Sequence, residues 1–361
     1  MSIVDADGHL EENHIDWKVR LPEKYQGKAP ERRAGGNGQL RTIIEGKAWP
    51  RPSGLGIGVG GPYSRPHPRR PGMIDPKARL ADMDGENIDV AVLFGAGLAG
   101  TLPALEDSGL AAALATARNH WLAEYCAADP KRLKGTAALA QQDIDASVCE
   151  LRRSVEQLGM VGASILPNLR GRHLGDSYYW PLYAEAERLN VPICVHMFLG
   201  RYGSDATGTE RVDKFFYAHL FGHPFEQMIA LAVIVGEGVL DRFPKLRFVF
   251  LESGCGWLPY WFHRLDEHYE VLGVQTPDLK ERPSKLLDRG QLYFSFEAEE
   301  SELAHVIDLF GDDWLVFASD YSHFDSRWPG AAEPIVDHPK LSAATKRKIL
   351  NDNARKLYPL D

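Results

Sequence analysis

The sequence predicts an α/β fold, a (β/α)8 TIM barrel with long insertions after its first and fifth strands. Three observations predict it. Eight short apolar runs alternate with helical patterns along the 361 residues, the count and order of a closed parallel barrel. Three of the runs end on residues that bind hard metals, and barrel active sites lie at the C-terminal ends of the strands. The first run leads into Asp7-Gly8-His9, not into the Gly-rich phosphate turn that opens a doubly wound sheet.

The strand-like runs cover residues 2–6, 88–94, 135–139, 162–166, 191–196, 246–251, 292–296 and 314–318. Helical patterns fall between most of them, at 108–128, 146–157, 178–189, 225–236, 257–272 and 301–309. Two stretches interrupt the alternation. Residues 26–76 are rich in Gly, Pro and Arg, with a glycine-dense segment at 54–61, and residues 197–223 are aromatic and polar. Insertions of this length inside a compact domain serve as lids or binding loops. No internal repeat is present, and residues 1–361 read as a single barrel domain.

Composition narrows the function. A formal net charge of −9 argues against a general nucleic-acid or anionic-membrane binder. No apolar run approaches the roughly 20 residues of a membrane span. Asp5, Asp7, Glu11 and Glu12 crowd the N-terminus, unlike a secretory signal. Cys126, Cys149, Cys194 and Cys255 show no CxxC spacing and read as reduced thiols of a cytoplasmic protein. The expected partner is a small-molecule substrate.

The chemistry concentrates at strand ends. Asp7 and His9 are two residues apart, so an extended strand turns both to one side. His196 ends the run at 191–196, and Asp320 follows the run at 314–318. Asp often caps a helix, but Tyr321-Ser322-His323 does not begin one. Glu252 follows the apolar Phe248-Val-Phe-Leu251, where a carboxylate faces the barrel mouth as metal ligand or general base. His223, in Phe221-Gly-His-Pro224, sits just before the predicted helix at 225–236 and suits an acid–base or supporting role; His323 is a similar case. Mixed oxygen and nitrogen ligands suit Zn, Mn or Fe.

Several segments resemble the amidohydrolase-2 family, metal-dependent barrel hydrolases and decarboxylases related to aminocarboxymuconate semialdehyde decarboxylase. They are Val4-Asp-Ala-Asp-Gly-His-Leu-Glu-Glu12, Leu80-Ala-Asp-Met-Asp-Gly-Glu-Asn-Ile-Asp-Val90, Trp180-Pro-Leu-Tyr183, Val191-Pro-Ile-Cys-Val-His196, Gly238-Val-Leu-Asp-Arg-Phe-Pro-Lys-Leu246, Ala318-Ser-Asp-Tyr321 and Asn351-Asp-Asn-Ala-Arg355. The resemblance implies a divalent metal held by Asp7, His9, His196 and Asp320, and a homodimer or larger assembly. This chain departs from the family pattern twice: Asp7 replaces the usual first histidine, and Glu252 stands where family decarboxylases carry a catalytic histidine. No lysine follows the fourth run to carry a bridging carbamate, so a second metal would need Glu252 or another carboxylate as its bridge.

The expectation is therefore a metal-dependent hydrolase with one or two divalent ions per chain. Asp320 and Glu252 would manage the proton of a metal-activated water, and His223 would act as partner. The substrate would be an amide, ester, thioester or C–C bond of a carbonyl compound. The alternative is non-oxidative decarboxylation of an aromatic or unsaturated acid. A third reading, a non-catalytic binding barrel, predicts that no metal is held.

Overall fold

The apolar runs form parallel strands in the predicted order. In the computed structural model, residues 1–34, 40–49, 64, 70–196 and 206–360 are described. The first strand, Val4–Glu11, pairs with Val90–Ala96, which pairs with Leu133–Gly135. The third strand is broken at Thr136. Its second half, Ala137–Ala138, begins the series Ala163–Ile165, Ile193–Val195, Phe248–Phe250, Leu292–Phe296 and Leu315–Phe317, each pair parallel. The seam is closed just beyond the eighth strand. There the Asp320 N–H donates to the Asp7 carbonyl at 3.1 Å, and the His9 N–H to the Tyr321 carbonyl at 2.9 Å. The result is the predicted (β/α)8 barrel.

Runs of Val, Ile, Leu and Phe suit strands buried on both faces. One set of side chains, including Val4, Ala6, Val92, Phe94, Cys194, Val249, Val316 and Tyr358, fills the interior. The alternate set, including Leu93, Ile165, Ile193, Phe248 and Phe294, meets the surrounding helices. Local signals start those helices where they start. Asp107 caps Ser108–Cys126 by accepting the Leu110 N–H, and Asp143 caps Ile144–Leu158 by accepting from Ala146. Both are side-chain caps that satisfy otherwise orphaned amides.

The two insertions differ from their predicted character. The glycine-dense segment at 54–61, together with Arg51, Arg65, Arg69 and residues 197–205, lies outside the described residues. Within 26–76, Glu31–Ala34, Leu40–Ile44 and Lys47–Trp49 make a small antiparallel sheet. Glu45 and Gly46 both have positive φ, 53° and 72°, the backbone of a type I′ hairpin turn. Ile44 and Trp49 are buried with Leu102, Leu105 and Leu110, so this part is packed structure.

After the fifth strand, the helix predicted at 225–236 begins ten residues earlier, as Phe215–Gly236, with Pro224 inside it. A proline there removes one N–H and crowds the preceding turn. The buried face of Ala218, Gly222, Glu226, Ala230 and Ile234 runs unbroken past it. By length and composition this helix could cross a membrane, but half of its apolar window is buried in the protein.

Candidate metal centre

Backbone irregularities aim the polar side chains. Val4 and Ala6 belong to the barrel interior, so Asp5 points away from it, and strict alternation would send Asp7 the same way. The pairing register shifts between Asp5 and Gly8, and a bulge of this kind re-aims the residues that follow. Asp7 and His9 consequently both face inward, where they are fully buried. Gly8 is required between them, because a Cβ there would run into the Arg79 guanidinium and come within 2.9 Å of the Asp5 carboxylate. Glu252 and Asp320 follow the sixth and eighth strands with φ of 58° and 49°. That region is sparsely populated by side-chain-bearing residues and recurs at functional sites.

Four strand ends bring the predicted residues to one point. His9 Nε2 lies 3.0 Å from Asp320 Oδ1, 3.5 Å from Glu252 Oε1 and 3.6 Å from Asp7 Oδ1. His196 Nε2 lies 3.5 Å from Asp7 Oδ1, and its Nδ1 lies 3.6 Å from Glu252 Oε2. Two overlapping groups have ligand atoms within 4.8 Å of one another: Asp7, His9 and His196, and His9, Glu252, Asp320 and His323. Both Asp7 carboxylate oxygens and His9 Nδ1 are buried without a hydrogen-bond partner. Orphaned polar atoms at this depth are costly. A divalent ion would satisfy the Asp7 oxygens and would take one ring nitrogen from His9, and the donor set of carboxylate oxygens and imidazole nitrogens suits Mn, Fe or Zn.

The charges give the same result. Burial works against a charged His196, but the Glu252 and Asp7 carboxylates outweigh it and raise its pKa to about 9. Burial likewise opposes a charged His323, yet Asp320 and Glu252 push its pKa well above the usual imidazole range. Asp320 and Glu252 stay ionised against burial because the neighbouring histidines hold them down. A pocket that draws protons onto buried imidazoles is one that attracts cations. His223 is the exception: burial takes its pKa down to about 4, so near neutral pH it is an uncharged ring.

Supporting residues appear that the sequence did not single out. Asp5 accepts from the Ser319 N–H at 2.9 Å and the Ser319 hydroxyl at 2.6 Å. Arg79, fully buried on helix Pro76–Glu86, donates to the His9 carbonyl at 3.1 Å, lies 3.5 Å from Asp5 and stacks over Tyr321. The Tyr321 hydroxyl donates in turn to Asp82, which also pairs with Arg70. Together these residues tie the first strand to the loop carrying Asp320. Arg79→Met leaves the Asp5 charge buried without its cation, and such losses cost about 3–5 kcal/mol. The expected result is a matching drop in unfolding free energy measured in urea at pH 7; unchanged stability would count against this role.

The long helix after the fifth strand forms one wall of the site. Gln227 donates to the carbonyls of Val195 and Leu251 at 2.9 and 3.0 Å, holding the residues just before His196 and Glu252. His223 was expected in a loop ahead of the helix. It lies inside the helix instead, with Nε2 3.6 Å from Glu252 Oε2. Phe215, His219 and His223 recur every four residues, which puts them on one face. His323 stacks on His9 at 3.9 Å, and its Nδ1 is 2.7 Å from Asp320 Oδ1. His323 thus lies against the cluster from the loop after the eighth strand.

Known proteins place this geometry in context. A family model described as Amidohydrolase matches residues 4–360. The gamma-resorcylate decarboxylase of Rhodococcus jostii is 29% identical over 307 residues, covering 78% of this chain and 87% of that one. The 2-amino-3-carboxymuconate-6-semialdehyde decarboxylase of Dictyostelium discoideum is 26% identical over 299 residues, covering 80% and 77%. A crystal structure of a dihydroxybenzoic acid decarboxylase from Polaromonas, with bound manganese and the inhibitor 2-nitroresorcinol, superimposes with a TM-score of 0.69 at 22% identity, covering 99% and 97%. These relatives overturn the expected hydrolase. They cleave a carboxyl group from carbon, and the alternative decarboxylase reading is the one they support. The error has a chemical cause: one ligand set serves both reactions, and Glu252 in place of histidine was read as a water-activating base.

Proposed function

This chain belongs to the amidohydrolase family, and we propose that it is a metal-dependent, non-oxidative decarboxylase of an aromatic or unsaturated carboxylic acid. The observation that carries this reading is the pair His323 Nδ1 and Asp320 Oδ1, 2.7 Å apart beside the ligand cluster. Decarboxylation needs a proton delivered to the vacated carbon, and this pair is placed to hold one. Asp7, His9, His196 and Asp320 would hold one divalent ion, of manganese, zinc or iron type, per chain. Bound there, the ion would supply positive charge that favours an anionic substrate and stabilises charge developing in the transition state.

The residues of the chain do the rest. Glu252 draws His196, His223 and His323 toward the cluster and fixes their ring orientations, as carboxylates do around metal-ligating imidazoles. His223, neutral, presents a hydrogen-bonding ring to the substrate. The bond between the substrate carbon and its carboxylate breaks, and the electron pair stays on carbon. The proton held between His323 and Asp320 passes to that carbon, and carbon dioxide leaves. Partly exposed His323 then recovers a proton from solvent.

The test is to incubate manganese-loaded protein with a panel of hydroxybenzoic and unsaturated acids in D2O. The expected result is carbon dioxide release and a single deuterium at the vacated carbon. No release from any panel member, together with hydrolysis of an ester or amide probe, would overturn the proposal.

A further inference from the structure

We propose that His219, oriented by Asp325, is a specificity-determining residue that recognises a hydroxyl at the far edge of an aromatic acid substrate. The proposal rests on the decarboxylase reading and names the substrate feature that this pocket selects. His219 is one helical turn from His223 on the same helix face, and their rings meet edge to face at 5.1 Å. His223 in turn reaches Glu252 within the ligand cluster. His219 thus stands about 5.4 Å further along the wall, close to the span from a benzoate's carboxylate to the opposite ring position.

Its surroundings fix its pose. Phe215 lies 5.4 Å away one turn earlier on the helix, and Phe324, from the loop after the eighth strand, lies 5.1 Å away edge to face. Phe215 and Phe324 also meet each other at 5.9 Å. This aromatic frame suits a planar ring. The His219 Nε2 lies 3.4 Å from Asp325 Oδ2, and a carboxylate partner keeps the proton on the nitrogen facing it. Nδ1 is then the acceptor, and its complement is a hydroxyl that donates. The side chains of His219 and Asp325 are both partly exposed, at 30% and 41%, as expected for groups that meet the outer edge of a substrate.

Two probes separate the possibilities: 2-nitroresorcinol, and 2-nitrophloroglucinol, which adds one hydroxyl opposite the nitro group. Calorimetric affinities are measured on manganese-loaded wild type, His219→Phe, His219→Gln and Asp325→Asn, with the metal content of each determined alongside. Wild type is expected to favour the extra hydroxyl by about tenfold, the worth of one well-formed hydrogen bond. His219→Phe brings the ratio to about one, whereas His219→Gln and Asp325→Asn keep part of it. A wild-type ratio near one, or a tenfold ratio that survives His219→Phe, overturns the proposal. Failure of wild type to bind either compound is a different result, and it removes the decarboxylase reading on which the proposal stands.

Discussion

Chelation of the purified protein is expected to lower turnover by at least about 10³-fold, with recovery on adding manganese, because the charge stabilisation the ion supplies amounts to several kcal/mol. The structural argument lies in the atoms left behind. Asp7 keeps two buried carboxylate oxygens without hydrogen-bond partners. Beside them lies the ionised Glu252. The metal-free protein must then hold that charge by protonating imidazoles, which alters the rings that serve as ligands. A ligand that binds only the folded state also stabilises it, so the stripped protein should melt at a lower temperature. Asp7→Ala and His9→Ala should match the chelated protein, with little metal detectable by plasma emission. Full turnover in stripped protein, with no metal measurable, would sink the metal-centre assignment.

Asp320→Asn should be the most damaging conservative change, lowering kcat by about 10³–10⁴-fold, the combined worth of a lost proton-transfer group and a weakened ligand. Asparagine keeps the shape and can adopt the same positive φ. The amide cannot share a proton with His323 as the carboxylate does at 2.7 Å. Saturating manganese separates the two losses. If poor metal binding were the whole defect, added ion would restore the rate; on the mechanism proposed here the rate stays low. A variant within tenfold of wild type under saturation would remove Asp320 from proton transfer and leave it a ligand alone.

The barrel was legible because its strands are apolar runs of the right number, and the candidate cluster because each member stands at the end of such a run. Asp7, His9, His196, Glu252 and Asp320 meet where strand ends are meant to meet. Other features were not legible, for identifiable reasons. The hairpin turn at Glu45-Gly46 was hidden in a stretch judged by composition rather than by turn chemistry. The long helix was expected only from 225, beyond Pro224, when the buried stripe on both sides of the proline was the stronger signal. Arg79 and Ser319 support the site through Asp5, and no spacing rule pairs residues so far apart. His219 and Asp325 face each other only because the long helix packs against the loop after the eighth strand. The choice of reaction lay beyond any list of ligands, since hydrolysis and decarboxylation share them and differ in where a proton goes.

The closure of the barrel at its active site has a consequence for the newly made protein. Asp5 and Ser319 are hydrogen-bonded across 314 residues, and the backbone of Asp7 is joined to that of Asp320. The strand that carries Asp7 and His9 is made before the other seven, but the candidate ligand cluster is complete only after the eighth strand has left the ribosome and found the first. Contacts this distant in sequence are slow to form. The order of synthesis thus makes assembly of the candidate metal site a late event, and a chain stopped short of the eighth strand carries most of the candidate ligands with nothing to hold them together.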